Sequence, residues 1–372
     1  SISELSDKIR NYQKKDLIQR PTPFYKLENL TRILGGPQIY IKRDDLTGLA
    51  FGGNKSRKLE YIMQDILDKG ADVVVTWAAL QSNWCLQTAA AAKKYGIKPI
   101  LVLFKTYDLP EEYDGNLLMD YLLGADIRIR DARKGQIIRE EEAEELLADV
   151  ISEVKQQGLK PYFAPIGGSM VGGSMDIPLG AIGYVDAYVE MIEQASELDV
   201  EVNCVLHASG SGGTQAGLIV GAVAMGKKVR VIGISVSEEK KSYRERVWKI
   251  YRDTVEALHL DVQAELNDVI VHDEYLKEGY GIINKDVFEA IRITGENEGI
   301  FLDPVYTGKA MAALIDLIKK GHFKKDNNVV FFHTGGTAAL FPNKHHLIRL
   351  ARSNSKNLLT KGKDHELGKT EF

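Results

Sequence analysis

Cysteine is almost absent from this chain: there are two among 372 residues, Cys85 and Cys204, each inside a mainly apolar segment. Two thiols so placed exclude a disulfide framework and a cysteine-ligated zinc site. Histidine is sparse too, eight in all, and none shows paired metal-ligand spacing; His345 and His346 are adjacent and point to different faces of a helix. Positive charge is not in excess, because 48 Lys and Arg stand against 52 Asp and Glu, a formal net charge of −4. A chain with that balance lacks the concentrated cationic surface that holds a nucleic-acid backbone. No apolar run approaches membrane-spanning length, and Ser1-Ile2-Ser3-Glu4-Leu5-Ser6-Asp7-Lys8 lacks the charged and then apolar order of a signal peptide. The expectation is a cytoplasmic protein with no membrane and no nucleic-acid partner.

What the chain does contain is a large core, with 44% hydrophobic and 27% charged residues, and a length that suggests two interlocked domains. Leu59, Ile62, Met63, Ile66 and Leu67 have the spacing of a one-sided helix closed by Gly70, and the β-branched run Asp72 to Thr76 follows at once. Then come an Ala-rich helix from Ser82 to Tyr95, a buried strand from Pro99 to Phe104, a helix near Asn116 to Leu123, a strand near Asp126 to Arg130, a charged helix from Glu140 to Gln156 and a strand near Tyr162. Beyond the doubled Gly-Gly-Ser at Gly167 and Gly172, either a hinge or a tight turn, a helix spans Leu179 to Leu198. Strands at Val202 to His207, Val229 to Ser235, Asp268 to Val271 and Asn327 to His333 complete the series. Alternation of this kind predicts an α/β protein of two domains, with open, twisted, mostly parallel sheets flanked by helices. The expected division is a smaller α/β domain at 58–172, a larger one from 1–57 plus 173–352, and a polar tail at 353–372.

Four junctions carry chemistry. In Gly52-Gly53-Asn54-Lys55-Ser56-Arg57-Lys58, one lysine lies between a glycine turn and a helix start. A partly buried lysine beside other cations, here Arg57 and Lys58, loses its proton more easily and can hold an aldehyde. Pyridoxal 5'-phosphate is the cofactor that uses such a lysine, and it also needs a phosphate cradle. Gly210-Ser211-Gly212-Gly213-Thr214, between the strand ending near His207 and an apolar helix, suits that need through successive N–H groups, a helix N-terminus and two hydroxyls; a tight packing turn is the plainer alternative. Gln81-Ser82-Asn83 also joins a strand to a helix, where Ser82 can cap and the neighbouring N–H groups can hold a carboxylate. Finally, Asp303-Pro304-Val305-Tyr306-Thr307 and His333-Thr334-Gly335 offer a phenol as acid or base and two hydroxyls for a ring nitrogen, although a half-buried core tyrosine would give the same pattern.

Together these segments resemble the fold-type-II, tryptophan-synthase-β-like pyridoxal-phosphate enzymes, in the branch of 1-aminocyclopropane-1-carboxylate deaminase, D-cysteine desulfhydrase and L-cysteate sulfo-lyase. The similarity runs from about Pro21 to Phe341 and includes Ile41-Lys42-Arg43-Asp44-Asp45-Leu46 and Gly115-Asn116-Leu117-Leu118. It implies that Lys55 carries the cofactor, that Gly210, Ser211, Gly212, Gly213 and Thr214 hold its phosphate, that Asn83 meets its 3-hydroxyl and Thr334 its ring. It also implies that Ser82, Gln81, Trp84, Tyr280, Tyr306 and Thr307 face a small amino-acid substrate, with Ser82 and Tyr306 close to the chemistry, in a homodimer.

The residue after Tyr306 separates the branches. The cyclopropane deaminases resemble Tyr-Glu there, a carboxylate that strengthens the electron sink, whereas this chain has Thr307. A neutral hydroxyl favours removal of the Cα proton followed by loss of a β substituent, as in the desulfhydrase and sulfo-lyase. Glu296 and Glu298 are expected to face solvent. Two features depart from the family: Trp84 replaces the usual histidine after Gln-Ser-Asn, and extra residues occur around Tyr107 to Tyr113. Cyclopropane deamination, β-replacement, racemisation and a non-catalytic amino-acid binder are the alternative readings on this fold.

Overall fold

A computed structural model describes residues 1–106, 113–133, 135–226, 228–263, 265–276 and 279–359, with side chains to 353. Ten strands occur among them: β1 Phe24–Lys26, β2 Gln38–Lys42, β3 Val73–Ala79, β4 Lys98–Lys105, β5 Asp126–Asp131, β6 Pro161–Phe163, β7 Cys204–Ser209, β8 Arg230–Ser235, β9 Ile270–His272 and β10 Asn328–Phe332. They form a four-stranded sheet of order β5-β4-β3-β6 and a six-stranded sheet of order β1-β2-β10-β7-β8-β9. All pairings are parallel except β1 with β2. Helices cover both faces, which is why β3, β4 and β7 read as continuous apolar runs: from Val73 to Ala78 every residue of β3 is buried.

The order of the strands determines where a ligand can enter. In the smaller sheet β4 and β5 lie on one side of β3 and β6 on the other; in the larger, β8 and β9 lie on one side of β7 and β10 on the other. Each sheet therefore has a point where successive crossovers diverge, and a crevice opens there beyond the carboxyl ends of the strands. The loops after β3 and β6, and after β7 and β10, flank the two crevices.

The helix Asn54–Asp68 packs against the helices Leu179–Glu197 and Asn83–Lys94, and its polar side is tied down by buried charge. Arg57 is fully buried and donates to both carboxylate oxygens of Asp44 at 2.7 and 2.8 Å, to both oxygens of Glu190 at 3.1 and 2.8 Å, and to Thr22 Oγ1 at 3.0 Å. Lys42, also buried, donates to Glu190 at 2.6 Å, and the Tyr184 hydroxyl donates to Asp44 at 2.7 Å. Glu190 lies on the helix Leu179–Glu197, so this cluster joins that helix, the end of β2 and the helix behind Lys55. Arg57 is thereby drawn away from Lys55, contrary to the expectation that it sits beside that amine.

Other departures are local. Strands β1 and β2 were not foreseen, because β1 has only three residues and β2 ends in a lysine that is charged yet buried against Glu190. The charged stretch forms two helices, Glu140–Leu146 and Ala148–Gln156, with a break at Leu147. The helix Lys344–Leu359 extends into the segment read as tail, and 360–372 lie outside the described residues. Glu296 is exposed as expected, but Glu298 accepts from Leu30 N at 2.7 Å and so helps hold the start of a neighbouring helix. Of the extra residues at 107–113, only Tyr113 falls within the described residues.

Candidate active site

Lys55 occupies the first turn of its helix because the preceding glycines allow a backbone that other residues resist. Gly53 has φ +135° and forms an isolated bridge with Gly335, while Asn54 N donates to Thr334 O at 3.0 Å. This seam places Lys55 against the loop after β10. Its Nζ lies 3.5 Å from Ser211 Oγ, and a Cβ built on Gly167 would be 3.2 Å from the same nitrogen. Burial lowers the Lys55 amine to about 8, partly offset by its hydrogen bond with Lys58. Lys58 is itself fully buried; desolvation first, and the Lys55 charge second, push its amine well below the ordinary lysine value. It donates to Ser169 Oγ at 3.3 Å, and that hydroxyl is 2.7 Å from Ser211 Oγ. Two amines and two hydroxyls therefore converge where the loops after β6 and β7 meet.

The glycine-rich turn after β7 leads into the helix Gly213–Ala224, whose first-turn N–H groups have no acceptor within the helix. With the dipole of that helix and two lysine amines nearby, the turn is built for an anion. Gly210, Ser211, Gly212 and Thr214 line the cavity, and the Thr214 hydroxyl accepts from Asn54 Nδ2 at 3.0 Å. Gly213 is not among the lining residues and instead packs on Ser169.

Ser82 caps the helix Asn83–Lys94, its Oγ accepting from Cys85 N at 3.1 Å, and the loop after β3 thereby presents the free first-turn N–H groups of that helix. Asn83 lines the cavity, and its side-chain oxygen accepts from Asn116 Nδ2 at 2.8 Å, which leaves the amide NH2 as the donor toward the ligand. Gln81 does not line it: its side chain accepts from Asn116 N at 2.8 Å and donates to Asp114 O at 2.9 Å, so it holds the start of the next helix rather than a substrate. Trp84 does line the cavity, 2% exposed, with its indole N–H satisfied by Thr76 Oγ1 at 2.7 Å.

On the opposite wall, the Tyr306 and Tyr280 hydroxyls are 2.6 Å apart. Burial, and then the adjacent Tyr306, raise the Tyr280 phenol well above its usual value, so Tyr280 keeps its proton. Gly210 is opposite the Tyr306 ring. Thr334 lines the cavity, but Thr307 does not: fully buried, its hydroxyl accepts from Asp303 N at 2.8 Å and donates to the Asp303 carboxylate at 2.7 Å. Thr307 is spent on shaping the turn that carries Tyr306, since Asp303 also accepts from the N–H groups of Val305, Tyr306 and Thr307. His333 bonds backbone as expected, its ring facing Phe301 O at 2.8 Å and Gly335 N at 3.2 Å.

The cavity these loops enclose is about 390 Å³ and continues past Lys55 to Trp77, Ile138, Glu140 and Arg246. Reading the sequence for function missed Ser169, Glu140 and the orienting role of Asn116. Ser169 sits in the doubled Gly-Gly-Ser, which was a signal; Glu140 begins an ordinary-looking acidic helix and gave none.

A depressed amine, an anion cradle, an amide donor and a neutral hydroxyl around one cavity are the set that a phosphorylated pyridine aldehyde requires. The comparisons with known proteins agree. The profile described as "Pyridoxal-phosphate dependent enzyme" matches residues 15–335, and the chain belongs to that family. It is 38% identical over 340 residues to the D-cysteine desulfhydrase of Serratia proteamaculans (strain 568), covering 91% of this chain and 98% of that protein. To a putative 1-aminocyclopropane-1-carboxylate deaminase of Pyrococcus furiosus it is 38% identical, over 90% of this chain and 94% of the other. The crystal structure of an ACC deaminase homologue matches with a TM-score of 0.83 and 37% identity, covering 93% of this chain and 99% of that one. The chain is thus a fold-type-II enzyme dependent on pyridoxal phosphate.

Proposed function

We propose that the chain catalyses α,β-elimination on a small β-substituted amino acid of the D-cysteine or cysteate kind, releasing the β substituent and, once one water hydrolyses the unsaturated product, a keto acid and ammonia. The observation that carries this is the Lys55 amine at about 8 in a cavity whose wall after β10 offers a neutral hydroxyl, Thr334, and no carboxylate. Pyridoxal phosphate, when bound, supplies the aldehyde that joins the amino group and the ring that takes up the electron pair left at Cα. Lys55 Nζ, neutral in a large fraction of molecules near pH 8, removes the Cα proton. The N-terminus of the helix Asn83–Lys94, capped by Ser82, binds the substrate carboxylate. Tyr306, paired to the protonated Tyr280, delivers a proton to the departing group. Gly210, Ser211, Gly212 and Thr214 hold the phosphate, and Asn83, oriented by Asn116, donates to the 3-hydroxyl. Ring opening of a cyclopropane asks for a charged partner at the ring nitrogen, and Thr334 does not supply it.

The exposed face of the helix Gly115–Leu122, with Tyr121 60% and Leu122 72% exposed, supports a homodimer. The two sheets support a division of the chain at 58–172 against the remainder to 352, and no helix among the described residues is long and apolar enough to cross a membrane.

The test is Lys55→Ala. This variant should lose both the near-visible absorbance of lysine-bound cofactor and the release of keto acid and ammonia from β-chloroalanine. Retention of both would sink the assignment.

A further inference from the structure

The reactive amine and the carboxylate site are carried by different segments, so the distance between them has to be fixed by a tie from one to the other. Lys55 follows Gly52 and Gly53, at φ +80° and +135°, and two successive glycines give a backbone with little stiffness of its own. The turn is held on one side by Thr47, whose hydroxyl accepts from Gly53 N at 2.7 Å and donates to Gly53 O at 3.0 Å. On another side Thr334 O accepts from Asn54 N at 3.0 Å. Neither residue belongs to the helix Asn83–Lys94, whose N-terminus faces the substrate.

Gln87, on that helix, supplies the missing tie. It is 2% exposed, its Nε2 donates to Gly52 O at 2.9 Å, and its Oε1 accepts from Ser56 Oγ at 2.8 Å. The Gly52 carbonyl can only accept, which fixes which end of the amide faces it. The fit is close: a Cβ on Gly53 would lie 2.4 Å from Gln87 Nε2, so the glycine makes room for the amide. The two groups it grips belong to the residue three before Lys55 and the residue just after it. Among the described residues no other hydrogen bond joins that turn to that helix. Asn83, four positions earlier, projects from the same helix face, and the cap Ser82 precedes it. Gln87 itself is not among the residues that line the cavity.

We propose that Gln87 is a positioning residue for removal of the Cα proton: its two hydrogen bonds set Lys55 Nζ against the end of the helix that holds the substrate carboxylate. This rests on the elimination reading and adds to it a residue that touches neither substrate nor cofactor. With the carboxylate bonded to the helix, the place of Cα follows from the helix. A shift of the lysine turn then changes the path of the proton without changing what the substrate is bound to. Misplacement by about 1 Å in such a geometry costs on the order of 10²-fold in rate. A tie that served packing alone would act on stability, or on binding and turnover together.

Gln87→Glu tests this within one folded protein. As the neutral acid, its carbonyl accepts from Ser56 Oγ and its O–H donates to Gly52 O, the wild-type pattern; once ionised, the carboxylate has no proton to give Gly52 O. With β-chloroalanine, the ratio of its kcat to that of wild type should be near one at the acid end of the profile. It should fall by roughly tenfold or more as pH rises through that ionisation, with KM little changed. The primary isotope effect with Cα-deuterated β-chloroalanine should grow in step, because the slowed step is the proton transfer. Gln87→Met, which bonds neither group, should show the low kcat and the larger isotope effect at every pH. A wild-type kcat in Gln87→Met, a loss carried by KM, an isotope effect that does not grow, or a Gln87→Glu ratio below one that does not vary with pH overturns the proposal. Failure of wild type to consume β-chloroalanine counts against elimination instead. The cofactor-free chain then decides: in Gln87→Met the pH midpoint for modification of Lys55 by trinitrobenzenesulfonate should move up from about 8 toward the ordinary lysine value, and an unmoved midpoint overturns the positioning role.

Discussion

Replacing Arg57 by Met should destabilise the chain severely at neutral pH, although the side chain is remote from solvent and touches no ligand. The guanidinium is fully buried and bonds Asp44, Glu190 and Thr22; Asp44 is fully buried as well. Removing the cation leaves Asp44 with Thr22 and Tyr184 as hydroxyl donors, at 2.8 and 2.7 Å, and no cation bonded to it. Breaking a buried pair from one side costs about 3–5 kcal/mol. At about 2.1 cal/mol/K per residue the whole chain unfolds with an entropy of roughly 0.8 kcal/mol/K, so the loss corresponds to a fall in Tm of roughly 4–6 °C if it unfolds as one unit. The pH dependence gives the reasoning a second check. Burial raises the Asp44 carboxyl, but Arg57 and Lys42 outweigh it and hold the folded value below normal; the same two cations hold Glu190 below its ordinary value against its own burial. Carboxyls with depressed folded values contribute stability above their unfolded pKa, about 4, and lose it as pH falls through the folded one. The gap between wild type and Arg57→Met should thus be full at pH 7 and shrink on acidification below about pH 4. Scanning calorimetry of both proteins across that range measures it. A variant that melts with wild type at pH 7, or a gap that widens in acid, would refute the argument.

Two other outcomes follow from buried titrating groups. Asp120 is fully buried, neither carboxylate oxygen has a partner among the described residues, and burial lifts it to about 8. Its folded value lies above the unfolded one, so wild type loses stability as pH rises from about 4 to 8. Asp120→Asn does not titrate there and should gain on wild type in melting temperature between pH 5.5 and 8.5; a constant difference would contradict this. In the cofactor-free chain, Lys55 should react with trinitrobenzenesulfonate with a pH midpoint near 8, against about 10.4 for an ordinary lysine. Peptide mapping reads the site directly, and a midpoint near 10 would show that the amine is not desolvated.

Much of the fold was legible because parallel strands buried on both faces leave unbroken β-branched runs, as in Val73-Val74-Val75, and because glycines punctuate the helices between them. The strand-to-helix junctions at Ser82 and Gly210 could be read for the same reason: caps and cradles are local, and their residues are contiguous. What escaped depended on distance along the chain. Lys42 hid a strand end, since a lysine looks exposed until Glu190, 148 positions away, is brought to it. Thr307 looked like a ligand to the ring because it follows Tyr306, but a turn of backbone gave its hydroxyl to Asp303.

From residues alone, then, came the cofactor chemistry, because Lys55, its glycine turn and the anion cradle are each short contiguous motifs whose backbone geometry is dictated locally. Tertiary structure decided which of the neighbouring polar groups matter. Hydrogen-bond partners and desolvation are long-range properties: they turned Arg57 inward to Asp44, put Lys58 beside Lys55, and committed Gln81 and Thr307 to the scaffold.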